Sequence, residues 1–310
     1  MNDFERPAIR FAGMTTGSGE FRLGPLDLEI PQGLVTAVVG ANGSGKSTLF
    51  RTLLGLEPVT GGRLEVLGSP ILPNGEESYK ARIGFVAENP HAYENPMTVA
   101  EKAEFASLWY PGWDRKRYRR LVDRFDIDVS ARLSKLSKGM RRKAELAIAM
   151  AHDPELLLLD EPSSGLDPFI WKIWLEELQS YLENGDRTLL LATHVTEEVR
   201  RLADNVLFLH RGQSLGFYEK DRLFEEWRSL LVRRSEAGAD PGKLRGTPGC
   251  CRMESGGSDL YSIVVSGAER GEQEFYLAAC GFQVLENRPL ELEDILGCMI
   301  AKEEANVEPA

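Results

Sequence analysis

Long hydrophobic runs are missing from this chain of 310 residues, where the longest apolar strings, such as residues 156–159, are strand-sized. A membrane span needs roughly 18 consecutive apolar residues, so the chain is not expected to cross a bilayer by itself. Cysteine is scarce. The four present, Cys250, Cys251, Cys280 and Cys298, come late, lack the Cys-x-x-Cys spacing of a zinc site and read as buried small hydrophobes. Positive charge is outweighed, with Lys+Arg 37 against Asp+Glu 48 and a net of −11, which argues against wrapping nucleic acid through phosphate contacts. No nucleic-acid partner is expected. Residues 1–7 have neither the basic start nor the apolar core of a secretory signal, and the expected location is the cytoplasm. Internal repeats and heptads are lacking too. The material that is there is globular: 42% hydrophobic, 27% charged and 8% aromatic residues exclude disorder, and the length suits one large domain with an appendage, or two domains.

Residues 9–209 alternate short apolar runs with amphipathic stretches, which predicts an α/β core whose parallel sheet is flanked by helices. Residues 35–39 read as a buried strand entering a Gly-rich turn, and residues 47–56 continue as a helix. Residues 156–159 and 188–192 are two more doubly buried strands, separated by the amphipathic stretch 168–182. Residues 97–151 are helical in pattern and read as an inserted subdomain. Within it, residues 115–143 hold twelve Lys/Arg against three Asp, a net of +9, either a solvated helix face or a surface turned toward something anionic. A boundary is expected near Asp221, giving domains 1–220 and 221–310. Residues 235–257 are rich in Gly, Pro and charge, and the rest predicts strand 261–265, helix 271–280, strand 282–285, helix 292–304 and a frayed acidic tail through Glu308. This small α+β extension carries no chemical motif.

The chemistry gathers at two places. Gly40-Ala-Asn-Gly-Ser-Gly-Lys-Ser-Thr48 matches Gly-x4-Gly-Lys-Ser and lies where that motif works, after a strand and opening a helix. Gly40, Gly43 and Gly45 permit a tight turn, so that successive N–H groups and the helix N-terminus converge on a polyphosphate. Lys46 would neutralise its outer phosphates, the Ser47 hydroxyl would complete the coordination of Mg²⁺ and Thr48 would contact the inner phosphate. Asp160 and Glu161 follow four leucines at the end of a buried strand, the edge where α/β sheets gather ligands. Asp160 is the candidate to hold Mg²⁺ through water, and Glu161 to accept a proton from an attacking water.

Further residues complete a pattern. Leu136-Ser-Lys-Gly-Met140 opens a helical run with Met140, Ala144, Ala147 and Ala151 on one face, and Ser137 is a good N-cap, so a second helix N-terminus offers its N–H groups to an anion. Ser163-Ser-Gly-Leu-Asp167 follows the two carboxylates, His194 follows the strand at 188–192, and Glu88 sits in Ile83-Gly-Phe-Val-Ala-Glu-Asn. Together with the phosphate loop, these resemble the signature sequence, D-loop, switch histidine and Q-loop of the ATP-binding-cassette (ABC) ATPases, over residues 9–218. The resemblance implies the P-loop NTPase fold of those cassettes, a mixed sheet core with the helical subdomain inserted, here followed by the α+β extension. It implies ATP and Mg²⁺ as cofactors, with Glu161, His194 and Lys46 catalytic and Ser47, Asp160 and Glu88 at the metal. The nucleotide would be held by Gly40, Asn42, Gly43, Ser44, Gly45, Lys46, Ser47 and Thr48. A second cassette, identical or paralogous, would add Ser137, Gly139 and Asp167 across a head-to-tail dimer, with Lys138, Arg141 and Arg142 raising the local potential.

Departures from the family pattern are Glu88 for the usual glutamine, and Lys138 and Met140 within the signature. The adenine-stacking position aligns with Ser18, leaving Phe11 and Phe21 as neighbours that could substitute. Variants of this kind resemble cassette subunits of bacterial exporters, those of antibiotic-resistance and envelope-stress operons above all. Such a subunit works with a separate integral membrane permease, peripheral on the inner face of the cell membrane. The permease would dock near residues 88–97, lined by residues 89–96, and against the helical insert. Two alternatives stand beside this: a soluble cassette acting on nucleic acid or ribosomes, and a regulatory ATP-binding subunit with weak hydrolysis.

Overall fold

The computed structural model describes residues 6–17, 19–72, 75, 77–89, 92–183, 185–236, 238–257, 259–267 and 270–307; Ser18, Pro90, His91 and Glu308 lie outside these. The chain divides into two compact units, Met1–Phe217 and Tyr218–Ala310. Among the described residues, no helix is long and apolar enough to cross a membrane.

The first unit opens with β1 (Pro7–Thr16), β2 (Leu23–Pro31), β3 (Val35–Val39), α1 (Lys46–Leu53), β4 (Val59–Val66) and β5 (Ser69–Pro70). β2-β1-β4-β5 form an antiparallel sheet, and the pairings of β1 shift register between Phe11 and Thr16. Then come β6 (Ile83–Val86), α2 (Val99–Trp109), α3 (Arg115–Arg124), α4 (Lys138–Met150), β7 (Leu156–Asp160), α5 (Pro168–Leu182), β8 (Thr188–Thr193), α6 (Thr196–Leu202), β9 (Asn205–His210) and β10 (Gln213–Glu219). The main sheet has the order β10-β9-β3-β8-β7-β6, and its pairings from β9 through β6 are parallel. β9 and β10 are joined by Arg211 and Gly212, both at positive φ, the backbone of a two-residue hairpin turn.

β3, β7 and β8 are buried at every residue, which is why they read as unbroken apolar runs rather than alternating ones. Each fully buried leucine of β7 contributes about 1.5–3 kcal/mol relative to exposure. One hydrophobic cluster joins Val38, Leu158, Leu190 and Leu207 of this sheet to Leu49, Phe50 and Leu53 of α1 and to Ile9, Leu26 and Leu64 of the antiparallel sheet. The main sheet thus fixes where α1, and the loop before it, must start.

The inserted helices are capped by their own sequence. Thr98 and Glu101 form a reciprocal capping box on α2, Asp114 accepts the Lys116 and Arg117 amides at the start of α3, and the Ser137 hydroxyl accepts the Met140 amide at the start of α4. Part of the basic run is paired with acids from outside itself. Arg120 and Arg124 pair with Glu177, Arg124 also with Glu176, and Arg117 with Asp153. Arg141 is half-buried between Glu94 and Glu145, and Arg142 is buried. The expectation that Lys138, Arg141 and Arg142 together raise the potential beside Ser137 is therefore corrected: Lys138 alone of the three is exposed, and its Nζ donates to Ser164 Oγ at 2.7 Å.

The second unit contains α7 (Lys220–Glu226), β11 (Arg228–Arg234), β12 (Cys250–Ser255), β13 (Leu260–Val265), α8 (Arg270–Ala279), β14 (Phe282–Pro289) and α9 (Leu292–Val307). Its sheet, β12-β13-β11-β14, is antiparallel throughout, and α8 packs against β14. Leu230, Val232, Ile263, Val265, Leu277 and Phe282 form its core. All four cysteines lie here as free thiols, and the expectation that they are buried holds for Cys298 alone; Cys250, Cys251 and Cys280 are half-exposed.

Candidate active site

Four adjacent parallel strands deliver their carboxyl ends to one place. Residues 40–48 follow β3, Asp160 and Glu161 end β7, Thr193 and His194 end β8, and Glu88 lies just past β6. The loop is glycine where it must be. A Cβ on Gly40 would stand 2.3 Å from the Leu209 carbonyl and 2.5 Å from Ser44 Oγ, and Gly45, which caps α1, has φ 113°. Lys46 folds back over the loop, with Nζ donating to the Gly40 carbonyl at 2.7 Å and 3.8 Å from Glu161 Oε1. Ser47 Oγ donates to Asp160 Oδ2 at 3.2 Å. Glu161 Oε2 lies 2.8 Å from Nδ1 of His194, whose own side chain is 68% exposed. Glu161 carries φ 49°, rare for a side chain of this size and the kind of backbone strain that functional sites hold.

These groups line a cavity of about 380 Å³ formed by Phe21, Ala41 to Thr48, Glu88, Asp160 and Glu161. Burial pushes the Asp160 carboxyl up to about 6, helped by repulsion from Glu88 and Glu161 and opposed by the Ser47 hydroxyl and Lys46. That is the signature of a carboxylate short of positive charge. Ser44 Oγ is buried without a hydrogen-bond partner, at the mouth of the glycine turn. Among the described residues no three His, Cys, Asp or Glu side chains converge to hold a metal by themselves. A hydroxyl, one buried carboxylate and a cradle of amides instead fit Mg²⁺ bound jointly with phosphate oxygens, since Mg²⁺ takes few protein ligands.

The structure separates the predicted residues into two sets. Asn42, Gly43, Ser44, Gly45, Lys46, Ser47, Thr48, Glu88, Asp160 and Glu161 line the cavity, and His194 and Gly40 adjoin it through the contacts above. Ser137, Gly139 and Asp167 are outside its lining. Ser137 caps α4, a Cβ on Gly139 would meet the Gly165 carbonyl at 3.0 Å, and Asp167 caps α5 by accepting the Phe169 and Ile170 amides at 3.0 Å. Signature and D-loop are thus neighbours, at the capped start of a second helix. Of the two phenylalanines offered for the base, Phe11 is sealed in the core and Phe21 lines the cavity beside Gly45. Sequence reasoning also misplaced Arg142: a cation in a basic run gives no sign that main-chain carbonyls will claim it.

A phosphate loop opening a helix, facing a carboxylate pair across a parallel sheet, defines a P-loop nucleotide hydrolase. Residues 23–164 match the ABC transporter family. The Nod factor export ATP-binding protein I of Rhizobium etli is 32% identical over 297 residues, 93% of this chain and 92% of that protein. The nickel import ATP-binding protein of Rhodobacter capsulatus is 34% identical over 227 residues, 68% of this chain and 86% of that one. A solved structure of an ATP binding subunit of an ABC transporter superposes with a TM-score of 0.64 at 26% identity, over 70% of this chain and 92% of that one. The chain belongs to the ABC transporter ATP-binding proteins; it is an ATPase, with ATP and Mg²⁺ as its cofactors.

Glu88→Gln tests the third carboxylate. Removing its charge weakens the field that draws a divalent cation, and half-saturating Mg²⁺ for hydrolysis should rise about three- to tenfold, roughly 1 kcal/mol at an effective dielectric near 20. A superimposable Mg²⁺ titration would exclude Glu88 from the field of the metal.

Proposed function

We propose that the chain is the ATP-hydrolysing subunit of an exporter, paired with a second cassette and driving a separate membrane permease from the inner face of the membrane. The observation that carries the export reading is coverage. Similarity to the export ATP-binding protein spans 93% of the chain and so runs into the second unit, whereas similarity to the nickel import protein spans 68%. The extension thus travels with the export relative.

Bound Mg²⁺–ATP supplies the phosphoryl group to be transferred. Glu161 would accept the proton of the attacking water, and His194, in contact with Glu161 Oε2, holds the orientation of that carboxylate and would steady the outer phosphate. Lys46 exchanges the Gly40 carbonyl for anionic oxygens. Ser137, Gly139 and Asp167, lying off the cavity of their own chain, complete the site of the other cassette, so that ATP closes the pair and loss of phosphate opens it.

A surface for the permease lies between the insert and β6, where Phe85, Met97, Phe105, Trp109 and Tyr110 line an apolar groove of about 500 Å³. Trp109 is 68% exposed there and Phe105 55%, more apolar surface than a free face of the monomer needs. Trp109→Glu should therefore leave ATP hydrolysis by the isolated chain unchanged and cut its co-sedimentation with permease-containing vesicles about tenfold or more. Undiminished sedimentation of the variant would remove this groove as the docking surface, and binding of the wild-type chain to permease-free vesicles or nucleic acid instead would remove the transport reading.

A further inference from the structure

Arg142 lies in the second turn of α4, the helix that Ser137 caps, and it is only 3% exposed. Its Nη1 donates to the carbonyl of Asp160 at 3.1 Å and its Nη2 to the carbonyl of Glu88 at 3.0 Å. One planar guanidinium thus ties the ends of two neighbouring parallel strands, β6 and β7, to the helix. The Asp160 carbonyl belongs to the same peptide plane as the Glu161 amide, which donates to the Ala192 carbonyl at 2.9 Å. The plane that aims Glu161 is therefore held at both ends, by Arg142 on one side and by β8 on the other. Burial works against the charge of Arg142, while the carboxylates of Glu88, Asp160, Glu161 and Glu198 favour it.

We propose that Arg142 is a positioning residue that transmits the placement of the signature helix to the catalytic carboxylates. The inference rests on the paired-cassette reading, in which Ser137 and Gly139 meet the nucleotide bound by the other cassette. The Arg141 amide donates to the Ser137 carbonyl at 2.9 Å, so the first turn is rigid, and movement of the Ser137 end carries Arg142 about 7–8 Å further along the axis with it. Its fork then moves both carbonyls together. A lysine ammonium at this position would keep the charge but engage one carbonyl at a time.

The test is kinetic, on the full chain with Mg²⁺–ATP. Arg142→Lys should lower kcat about 10- to 100-fold, with KM and the affinity for a fluorescent ATP analogue within about threefold, because the phosphate loop is untouched. Ser137→Ala should lower kcat as well, and the double variant should fall short of the product of the two losses. Unchanged kcat in Arg142→Lys beside a clear loss in Ser137→Ala, or losses that multiply, would overturn the inference and leave the paired-cassette reading standing. A Ser137→Ala variant with wild-type kcat would overturn both. A second measurement leaves Arg142 in place. In the Glu161→Gln chain, Mg²⁺–ATP should raise hydrogen-exchange protection together at residues 86–88, 138–143 and 160–161. Protection confined to residues 40–48 would overturn the inference.

Discussion

Glu161→Gln is expected to lower kcat about 10²- to 10⁴-fold, the range that a positioned general base supplies, with ATP affinity changed less than about threefold. The substitution keeps the volume of the side chain and its place at φ 49°, and it leaves Lys46 on the Gly40 carbonyl. What it removes is the basicity of the oxygen that stands 2.8 Å from His194 Nδ1. Hydrolysis and binding should therefore separate: the variant saturates with nucleotide and stays there. If ATP closes two cassettes and hydrolysis opens them, the same variant accumulates as an ATP-dependent dimer, visible by light scattering, while the wild-type chain does so only transiently. Equal hydrolysis by variant and wild type would remove Glu161 from the catalytic role. Slow hydrolysis with no dimer would keep that role and remove the proposed cycle.

How far the sequence could be read depended on what each residue answers to. β3, β7 and β8 are sealed on both faces, so their apolar runs stand out in any window, and a Gly-x4-Gly-Lys-Ser loop after such a run has one geometry to adopt. Asp160 and Glu161 were legible for the same reason, because two carboxylates behind four buried leucines need a cation or a proton. The second unit was legible only in its later half. β11 runs Arg228 to Arg234 with alternating burial between charged ends, and β12 is a polar edge strand inside a stretch that reads as loop. Charge was the least legible feature. The +9 of residues 115–143 is a local sum, but the acids that offset part of it, Asp153, Glu176 and Glu177, come from other segments, and folding alone brings them within reach. Lys138 kept the exposure its composition suggests; Arg142 went to main-chain carbonyls that carry no sequence signal at all.

Asp160→Asn should reverse its effect on stability according to whether ligand is present. Without ligand, the wild-type carboxyl has its pKa raised by burial, from 3.8 to about 6, so the folded chain resists its ionisation more than the unfolded chain does. The sign follows: the penalty is absent below the unfolded value, grows as pH rises through the window from about 4 to about 6, and is full above it. At two pK units it amounts to about 1–3 kcal/mol, and asparagine, uncharged and still able to accept from Ser47, escapes it. At pH 7.5 the ligand-free variant should thus melt a few degrees above wild type, with the difference vanishing near pH 4. Mg²⁺ and ATP should invert the order, because wild type gains a cation beside Asp160 and the variant has no charge to hold it, and hydrolysis should fall at least about a hundredfold. A buried acid kept for structure alone would lose stability on the change to asparagine in every condition. Crossing of the two melting curves on addition of Mg²⁺–ATP is the outcome that only a carboxylate kept for its ligand can give.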